Sequence, residues 1–175
     1  MVACPVVVIM AGGLGSRLGY IDKGVVEVCG KPMALAVGET ALRLAEAGCQ
    51  VLAAVSKRNQ GTLRILKELG IDVVLTSGSG YVNDLALLLK LIRRRPVLIM
   101  PIDTPLITPK LILEFVNKAI GLGKPVVNLV GPWGMVGVSL FNGDGGEWGD
   151  VLVNDPRIMD VDDQYALSIA NRLCS

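Results

Sequence analysis

The sequence predicts an α/β fold in which a mostly parallel central sheet lies between layers of helices, as a three-layer α/β/α sandwich. Apolar runs such as Val6-Val7-Val8-Ile9 show no polar alternation, which is typical of strands buried on both faces. Strand-like and helix-like segments also alternate along the chain, and this order favours parallel strands joined by crossover helices. A glycine-rich turn follows the first strand, at the edge where such sheets bind ligands.

The individual elements follow from apolar periodicity and from glycine and proline positions. Strands are predicted at residues 6–10, 25–28, 51–55, 72–75, 97–101, 125–130 and 136–141. Helices are predicted at residues 32–47, 62–69, 81–93, 108–120 and 162–173. Pro32 suits a first helical turn, Gly48 and Gly70 suit helix ends, and Asp162 or Asp163 would cap the last helix. Residues 143–149, rich in glycine and acid, are expected to form a loop.

Length and composition indicate a single globular domain over residues 1–175. Apolar residues make up 51% of the chain and charged residues 19%, so a core of useful size can form. The apolar runs are too short to span a membrane, and the N-terminus lacks the basic region of a secretory signal. We therefore expect a cytoplasmic protein without a membrane span.

The charged and metal-binding residue types exclude several classes of function. The net charge is +1, which gives no long-range attraction to nucleic acid, and Arg93-Arg94-Arg95 is better explained as the end of a helix. The chain has no histidine and no C-x-x-C pair among its four cysteines. The usual zinc sites and histidine-based catalysis are thereby disfavoured, and the cysteines are expected to be reduced core residues. Any metal would be a hard ion bound by oxygen, which points to Mg²⁺.

The turn after the first strand is the clearest functional signal. It reads Met10-Ala11-Gly12-Gly13-Leu14-Gly15-Ser16-Arg17-Leu18-Gly19, and Lys23 follows. The dinucleotide fingerprint G-x-G-x-x-G fails because Leu18 occupies the third glycine position, and the Walker loop fails because the spacing from Gly24 to Gly30-Lys31-Pro32 is one residue too long. Backbone amides beside an arginine and a lysine nevertheless predict a site for a polyanion.

Three further segments are expected at the same rim of the sheet. Asp103 leaves the end of a strand and could hold Mg²⁺ against phosphates, although a turn-capping role is the simpler alternative. Residues 76–80 form a small, hydroxylated loop that would contact a nucleobase or a phosphate, or would only open a helix capped by Ser79 or Asn83. Asp160 and Asp162 are open candidates for a second metal ligand, whereas Asp163 is expected to cap the last helix.

Together these residues resemble the signature of the MobA-like nucleotidyltransferases, which share a Rossmann-like fold. The resemblance lies in the turn at residues 10–19, in Lys23, in Gly30-Lys31-Pro32 and in Asp103, where the family keeps its magnesium aspartate. It implies transfer of a nucleoside monophosphate from a triphosphate to an acceptor, with release of pyrophosphate. The acceptor would be a small molecule, with no nucleic-acid partner, and a homodimer is left open.

Two guanylyltransferases of that family are similar in different segments. Asp22-Lys23-Gly24 resembles the molybdenum cofactor guanylyltransferases. Residues 76–85 and Cys29-Gly30 look more like the archaeal adenosylcobinamide-phosphate guanylyltransferases, and this resemblance is favoured here. It implies that GMP passes from GTP to adenosylcobinamide phosphate, giving adenosylcobinamide-GDP and pyrophosphate in cobalamin biosynthesis. A pterin acceptor is the alternative.

The resemblance also assigns roles to the candidate residues. Arg17 would neutralise the leaving phosphates, Lys23 would approach the α-phosphate or the acceptor, and Asp103 with Asp160 would hold Mg²⁺. Nucleotide-binding residues would be the turn residues and the second loop: Ala11, Gly12, Gly13, Leu14, Gly15, Thr76, Ser77, Gly78 and Gly80. Gly137 would face the acceptor. Because a phosphate acceptor is already ionised, the lack of a histidine base is no obstacle.

Two different functions remain as alternatives. A non-catalytic module could bind guanine nucleotide through the same glycine turn without turning it over. A dehydrogenase is disfavoured by the failed fingerprint and by Ser56-Lys57-Arg58, which stand where an NAD-binding fold places an acidic residue for the ribose.

Overall fold

A computed structural model of the chain describes residues 4–13, 15–19 and 21–174. The strands are β1 (Val6–Ala11), β2 (Glu27–Val28), β3 (Lys31–Pro32), β4 (Val51–Ser56), β5 (Asp72–Thr76), β6 (Val97–Pro101), β7 (Val126–Gly131), β8 (Gly134–Phe141) and β9 (Trp148–Leu152). The helices are α1 (Met33–Glu46), α2 (Gln60–Glu68), α3 (Tyr81–Leu91), α4 (Pro109–Leu122) and α5 (Gln164–Arg172).

Seven strands form the central sheet in the order β5-β4-β1-β6-β8-β7-β9. Only β8 pairs antiparallel with its neighbours, so the prediction of a mostly parallel sheet is confirmed. The chain runs from β1 outward to β5 and then crosses back to β6 on the other side of β1. This change of direction opens a crevice at the carboxyl ends of β1 and β6, which is where ligands bind in such sheets.

The two faces of the sheet bury different cores, and this arrangement confirms helices on both sides. Val7, Ile9 and Ala11 of β1 pack against apolar residues of α1, α2 and α4. Val6, Val8 and Met10 point to the other face, where Leu88 of α3 and its neighbours cover them. Because β1 is buried on both faces, its residues form a continuous apolar run.

Several element boundaries differ from the sequence prediction. The predicted loop at residues 143–149 ends in β9, an edge strand that begins at Trp148. Its side chains alternate between core and solvent, and Val151 is buried while Leu152 is exposed, so this strand lacks the continuous apolar run of β1. Asp163 caps α5 by accepting a hydrogen bond from the Ala166 amide at 2.7 Å, as expected. The predicted cap of α3 is wrong, because Gly80 occupies that position without a side-chain bond.

The cysteines are paired in this structure, so the expectation of reduced core thiols is wrong. One disulfide joins Cys4 to Cys49 and the other joins Cys29 to Cys174. The partners are 45 and 145 residues apart in the chain, and only folding brings them together. The second bond fastens the end of α5 to the turn between β2 and β3.

Among the described residues, none of the helices combines the length and the apolar composition that crossing a bilayer requires.

Candidate active site

The glycine turn leaves the end of β1 and folds back over the rim of the sheet. Gly15 has φ of +61°, and a Cβ at this position would collide with the backbone carbonyl of Ile21, so glycine is required here. Residues 16–18 then form a short 3-10 turn. Leu14, which was expected to contact nucleotide, lies outside the described residues.

Lys23 and Asp103 meet across the crevice between β1 and β6. The Lys23 Nζ lies 2.9 Å from Asp103 Oδ2, and both side chains are largely buried. Asp103 follows Pro101 at the end of β6, while Lys23 comes from the segment after the glycine turn. The capping alternative for Asp103 therefore has no support, because the Asp103 side chain bonds to Lys23 and not to its own loop.

A polar network around Asp22, which the sequence analysis missed, fixes the segment that carries Lys23. The Asp22 carboxylate accepts hydrogen bonds from the Thr62 amide at 2.9 Å, from the Thr62 hydroxyl and from Asn59 Nδ2 at 3.2 Å. Asn59 Nδ2 also lies 3.3 Å from the Gly13 carbonyl. Asp22 thus accepts a hydrogen bond from a backbone amide in the first turn of α2, although it lies 40 residues earlier in the chain. These bonds tie the segment that carries Lys23 to the helix. The only local signal was its position next to Lys23.

Three more charged residues lie where the glycine turn approaches the segment before α5. Arg17 Nη1 lies 2.6 Å from Asp162 Oδ2, and the arginine side chain is 71% exposed. Asp160 is half-buried, and this burial, followed by the negative charge of the nearby Asp103, raises the pKa of its carboxyl group. Asp162 is therefore engaged with Arg17, whereas Asp160 faces the Lys23–Asp103 pair.

Asp22, Lys23 and Asp103 line a cavity at the carboxyl ends of β1, β4 and β6. Its lining residues are Met10, Ala11, Gly12, Gly13, Asp22, Lys23, Gly24, Ala54, Asn59, Tyr81, Asp84, Pro101, Ile102 and Asp103. An adjoining cleft is lined by Gly13, Gly15, Ser16, Arg17, Lys23 and Asp162. Gly13 and Lys23 belong to both, so the two clefts meet at the glycine turn.

Tyr81 and Asp84 of α3 line the cavity and were not selected from the sequence. They are three residues apart and therefore share one face of the helix. Burial, with a smaller contribution from the negative charge of Asp103, raises the pKa of Tyr81 to about 12, so its hydroxyl group keeps its proton. Both residues match an ordinary helix start, so little in the sequence marked them as residues of the site.

None of residues 76–80 is in the described lining of the cavity, and Thr76 lies closest to the glycine turn. Thr76 is buried beside Gly12, where its Oγ1 would lie 3.5 Å from a Cβ on that glycine. Ser77, Gly78 and Gly80 are absent from the described lining: the Ser77 hydroxyl donates to Ser79, and the Gly78 carbonyl accepts a bond from Arg58. Gly137 on β8 lies against Pro101, next to the cavity wall.

The chain matches the family model described as the MobA-like NTP transferase domain over residues 7–141. Curated relatives include the molybdenum cofactor guanylyltransferases of Shewanella pealeana and Shewanella halifaxensis, at 30% and 29% identity over 114 residues. These matches cover 63% of this chain, and the chain spans about half (54%) of the length of each relative.

Similar solved structures share the fold across nearly the whole chain. A CMP:2-keto-3-deoxy-manno-octonic acid synthetase complexed with CTP has a TM-score of 0.73 at 17% identity, covering 98% of both chains. Molybdopterin-guanine dinucleotide biosynthesis protein A from Archaeoglobus fulgidus has a TM-score of 0.71 at 13% identity, covering 96% of this chain and 97% of its own. A Mycobacterium tuberculosis protein in complex with manganese has a TM-score of 0.69 at 16% identity, covering 98% of each. At these identities the likeness shows the fold.

Proposed function

Because this chain belongs to the MobA-like NTP transferase family, we propose that it is a guanylyltransferase that moves GMP from GTP to a phosphate-bearing acceptor. One observation carries the proposal: Lys23 and Asp103 are paired at 2.9 Å beside the glycine turn, at the rim of β1 and β6. A cation for phosphate and a carboxylate for a metal ion thus stand at one site, with backbone amides of the turn beside them.

The donor set fits a divalent cation such as Mg²⁺. Asp103 and Asp160 provide carboxylate oxygens, the ligand type that this hard ion prefers, and the negative charge of Asp103 contributes to the raised pKa of Asp160. Among the described residues no cluster of three acidic or cysteine side chains could hold a metal. Substrate phosphate oxygens would complete the coordination. When bound, the ion neutralises phosphate charge.

The protein's own residues bind and orient the reacting groups. Amides of Gly12, Gly13 and Gly15 hold the triphosphate, and Arg17 faces its β- and γ-phosphates. An oxygen of the acceptor phosphate forms a bond to the α-phosphorus while the bond to the β-phosphate oxygen breaks and pyrophosphate leaves. At this step Lys23 contacts the phosphates in place of Asp103. The phosphate nucleophile is already ionised, so positioning and charge stabilisation suffice.

Two acceptors are supported by different observations. The curated relatives are molybdenum cofactor guanylyltransferases, which favours a pterin acceptor such as molybdopterin. The segment at residues 76–85 and Cys29-Gly30 favour adenosylcobinamide phosphate, which would place the protein in cobalamin biosynthesis. The comparisons support the pterin acceptor better than the corrinoid. Both acceptors present the phosphate monoester that the proposed chemistry needs.

The test is a transfer assay with GTP labelled at the α-phosphate, Mg²⁺, and either molybdopterin or adenosylcobinamide phosphate. Label should move to one acceptor with equimolar release of pyrophosphate. Label transfer to molybdopterin alone would reject the cobalamin assignment, and transfer to the corrinoid alone would reject the pterin. Tight binding of GTP without transfer to either would indicate a nucleotide-binding module and contradict the proposal.

A further inference from the structure

A buried carboxylate at the inner wall of the cavity has no role in the chemistry described above. Asp84 lies in the first turn of α3 and is 4% exposed. Among the described residues, no donor forms a hydrogen bond or an ion pair with its carboxylate; Lys23, which lines the same cavity, pairs with Asp103. Buried polar groups are normally hydrogen-bonded, and Asp84 lines the cavity, so we expect a bound ligand to supply the donor.

A second unpaired polar group points to the same place. Thr76 Oγ1 is buried and has no hydrogen-bond partner among the described residues. A Cβ on Gly12 would lie 3.3 Å from Asp84 Oδ2 and 3.5 Å from Thr76 Oγ1, so both oxygens converge on this glycine. Gly12 also lines the cavity together with Asp84. Asp84 therefore reaches the cavity wall beside Gly12, while the enclosed Thr76 hydroxyl lies next to the same glycine.

The surroundings of Asp84 suit a flat, mostly apolar ring with two neighbouring N–H groups. Met10, Ala54 and Pro101 supply apolar lining to the same cavity. A carboxylate offers two acceptor oxygens side by side and no donor. Guanine presents N1–H and its 2-amino group next to each other, whereas adenine places a lone pair at N1 and would be repelled.

We propose that Asp84 is the guanine-specificity residue of this site, accepting hydrogen bonds from N1–H and the 2-amino group of the base. This assignment rests on the proposed nucleotide transfer and deepens it. In this assignment the base is recognised by Asp84 of α3 and not by Ser77, Gly78 or Gly80 of the second loop.

The test measures equilibrium binding of GTP, ITP, XTP and ATP to the full chain by calorimetry, without acceptor. For the unaltered protein we expect GTP to bind more tightly than ITP, which lacks the 2-amino group, and far more tightly than ATP. For Asp84→Asn we expect GTP affinity to fall about 10- to 100-fold, as for loss of a bidentate base contact. XTP affinity should rise, because an amide can donate to the oxygen that replaces the 2-amino group.

Asp72→Asn is the matched control, because Asp72 is exposed on β5 and the substitution is chemically identical. Equal losses for all four nucleotides in Asp84→Asn would mean that the carboxylate holds the ribose diol and would overturn the proposal. Equal binding of GTP and ITP by the unaltered protein would overturn it as well, even if the variant failed to fold. Transfer from GTP and ATP at the same rate would reject guanine reading while leaving nucleotidyl transfer intact.

Discussion

Arg17 and Lys23 both bind phosphates in the proposed reaction, but their side chains differ in burial. Lys23 is largely buried against Asp103, while Arg17 is mostly exposed and forms one surface ion pair with Asp162. Exposed ion pairs contribute little to stability, so Arg17 is free to leave Asp162 when a ligand arrives. Loss of function and loss of stability are therefore separable at Arg17.

For Arg17→Ala we expect turnover to fall by about 10²-fold, because a preorganised charge opposite the leaving group is lost. The urea midpoint of unfolding should stay unchanged. Pyrophosphate release measures the first effect and circular dichroism the second. Arg43→Ala is the control, since Arg43 forms an exposed pair with Glu46 away from the site. Normal turnover in Arg17→Ala would show that the arginine has no part in the reaction.

For Asp103→Asn we expect a loss of turnover of about 10²-fold or more and a higher Mg²⁺ concentration for half-maximal rate, because a metal-binding charge is removed. The rate as a function of Mg²⁺ concentration is the measurement. Asp144→Asn serves for comparison, because Asp144 is 95% exposed and pairs only with Arg95 in the described structure. An unchanged Mg²⁺ requirement would place the ligand elsewhere, with Asp160 the next candidate.

At the scale of elements, the glycine turn and α2 form one unit through Asp22. Its carboxylate satisfies the Thr62 amide in the first turn of α2 and also bonds Asn59, which reaches the Gly13 carbonyl. Gly24 packs so closely on Thr62 that a Cβ would collide with the threonine side chain. The helix therefore holds the segment that positions Lys23.

For Asp22→Ala we expect the free energy of unfolding to fall by about 1–3 kcal/mol, since a helix cap and partly buried donors lose their acceptor. Urea denaturation measures this change. Turnover should fall as well, because the backbone next to Lys23 loses its support. Asp72→Ala, at an exposed position on β5, should change neither quantity appreciably. A stability equal to that of the unaltered protein would contradict the capping role of Asp22.

At the scale of the whole molecule, the Cys29–Cys174 disulfide joins the turn between β2 and β3 to the C-terminal end of α5. It lies at the end of α5, and the segment just before that helix carries Asp160 and Asp162. The Cys29 amide also bonds the Asn171 side chain of α5 at 3.0 Å. The last helix is thus held against the β2–β3 hairpin and the start of α1 by a covalent bond and by apolar packing of Ala170 against Val28 and Met33.

For the double variant Cys29→Ser/Cys174→Ser we expect a loss of about 5 kcal/mol of unfolding free energy from the chain-entropy relation, given the 145-residue separation. Cys4→Ser/Cys49→Ser, which opens a separation of 45 residues, should lose about 4 kcal/mol. Thermal and urea unfolding measure both. If a reductant left the unfolding midpoint of the unaltered protein unchanged, neither bond would contribute to stability.

The sequence alone determined the parallel sheet and the position of the glycine turn, because apolar periodicity and glycine spacing are local properties of the chain. It also selected Lys23 and Asp103, since residues that follow parallel strands share one rim. Only the tertiary structure decided the partners: Asp22 with Thr62, Arg17 with Asp162, and the cysteine pairs. Asp84 could not be selected from the sequence for the same reason. Whether a side chain is buried and lacks a partner depends on contacts between residues far apart in the chain.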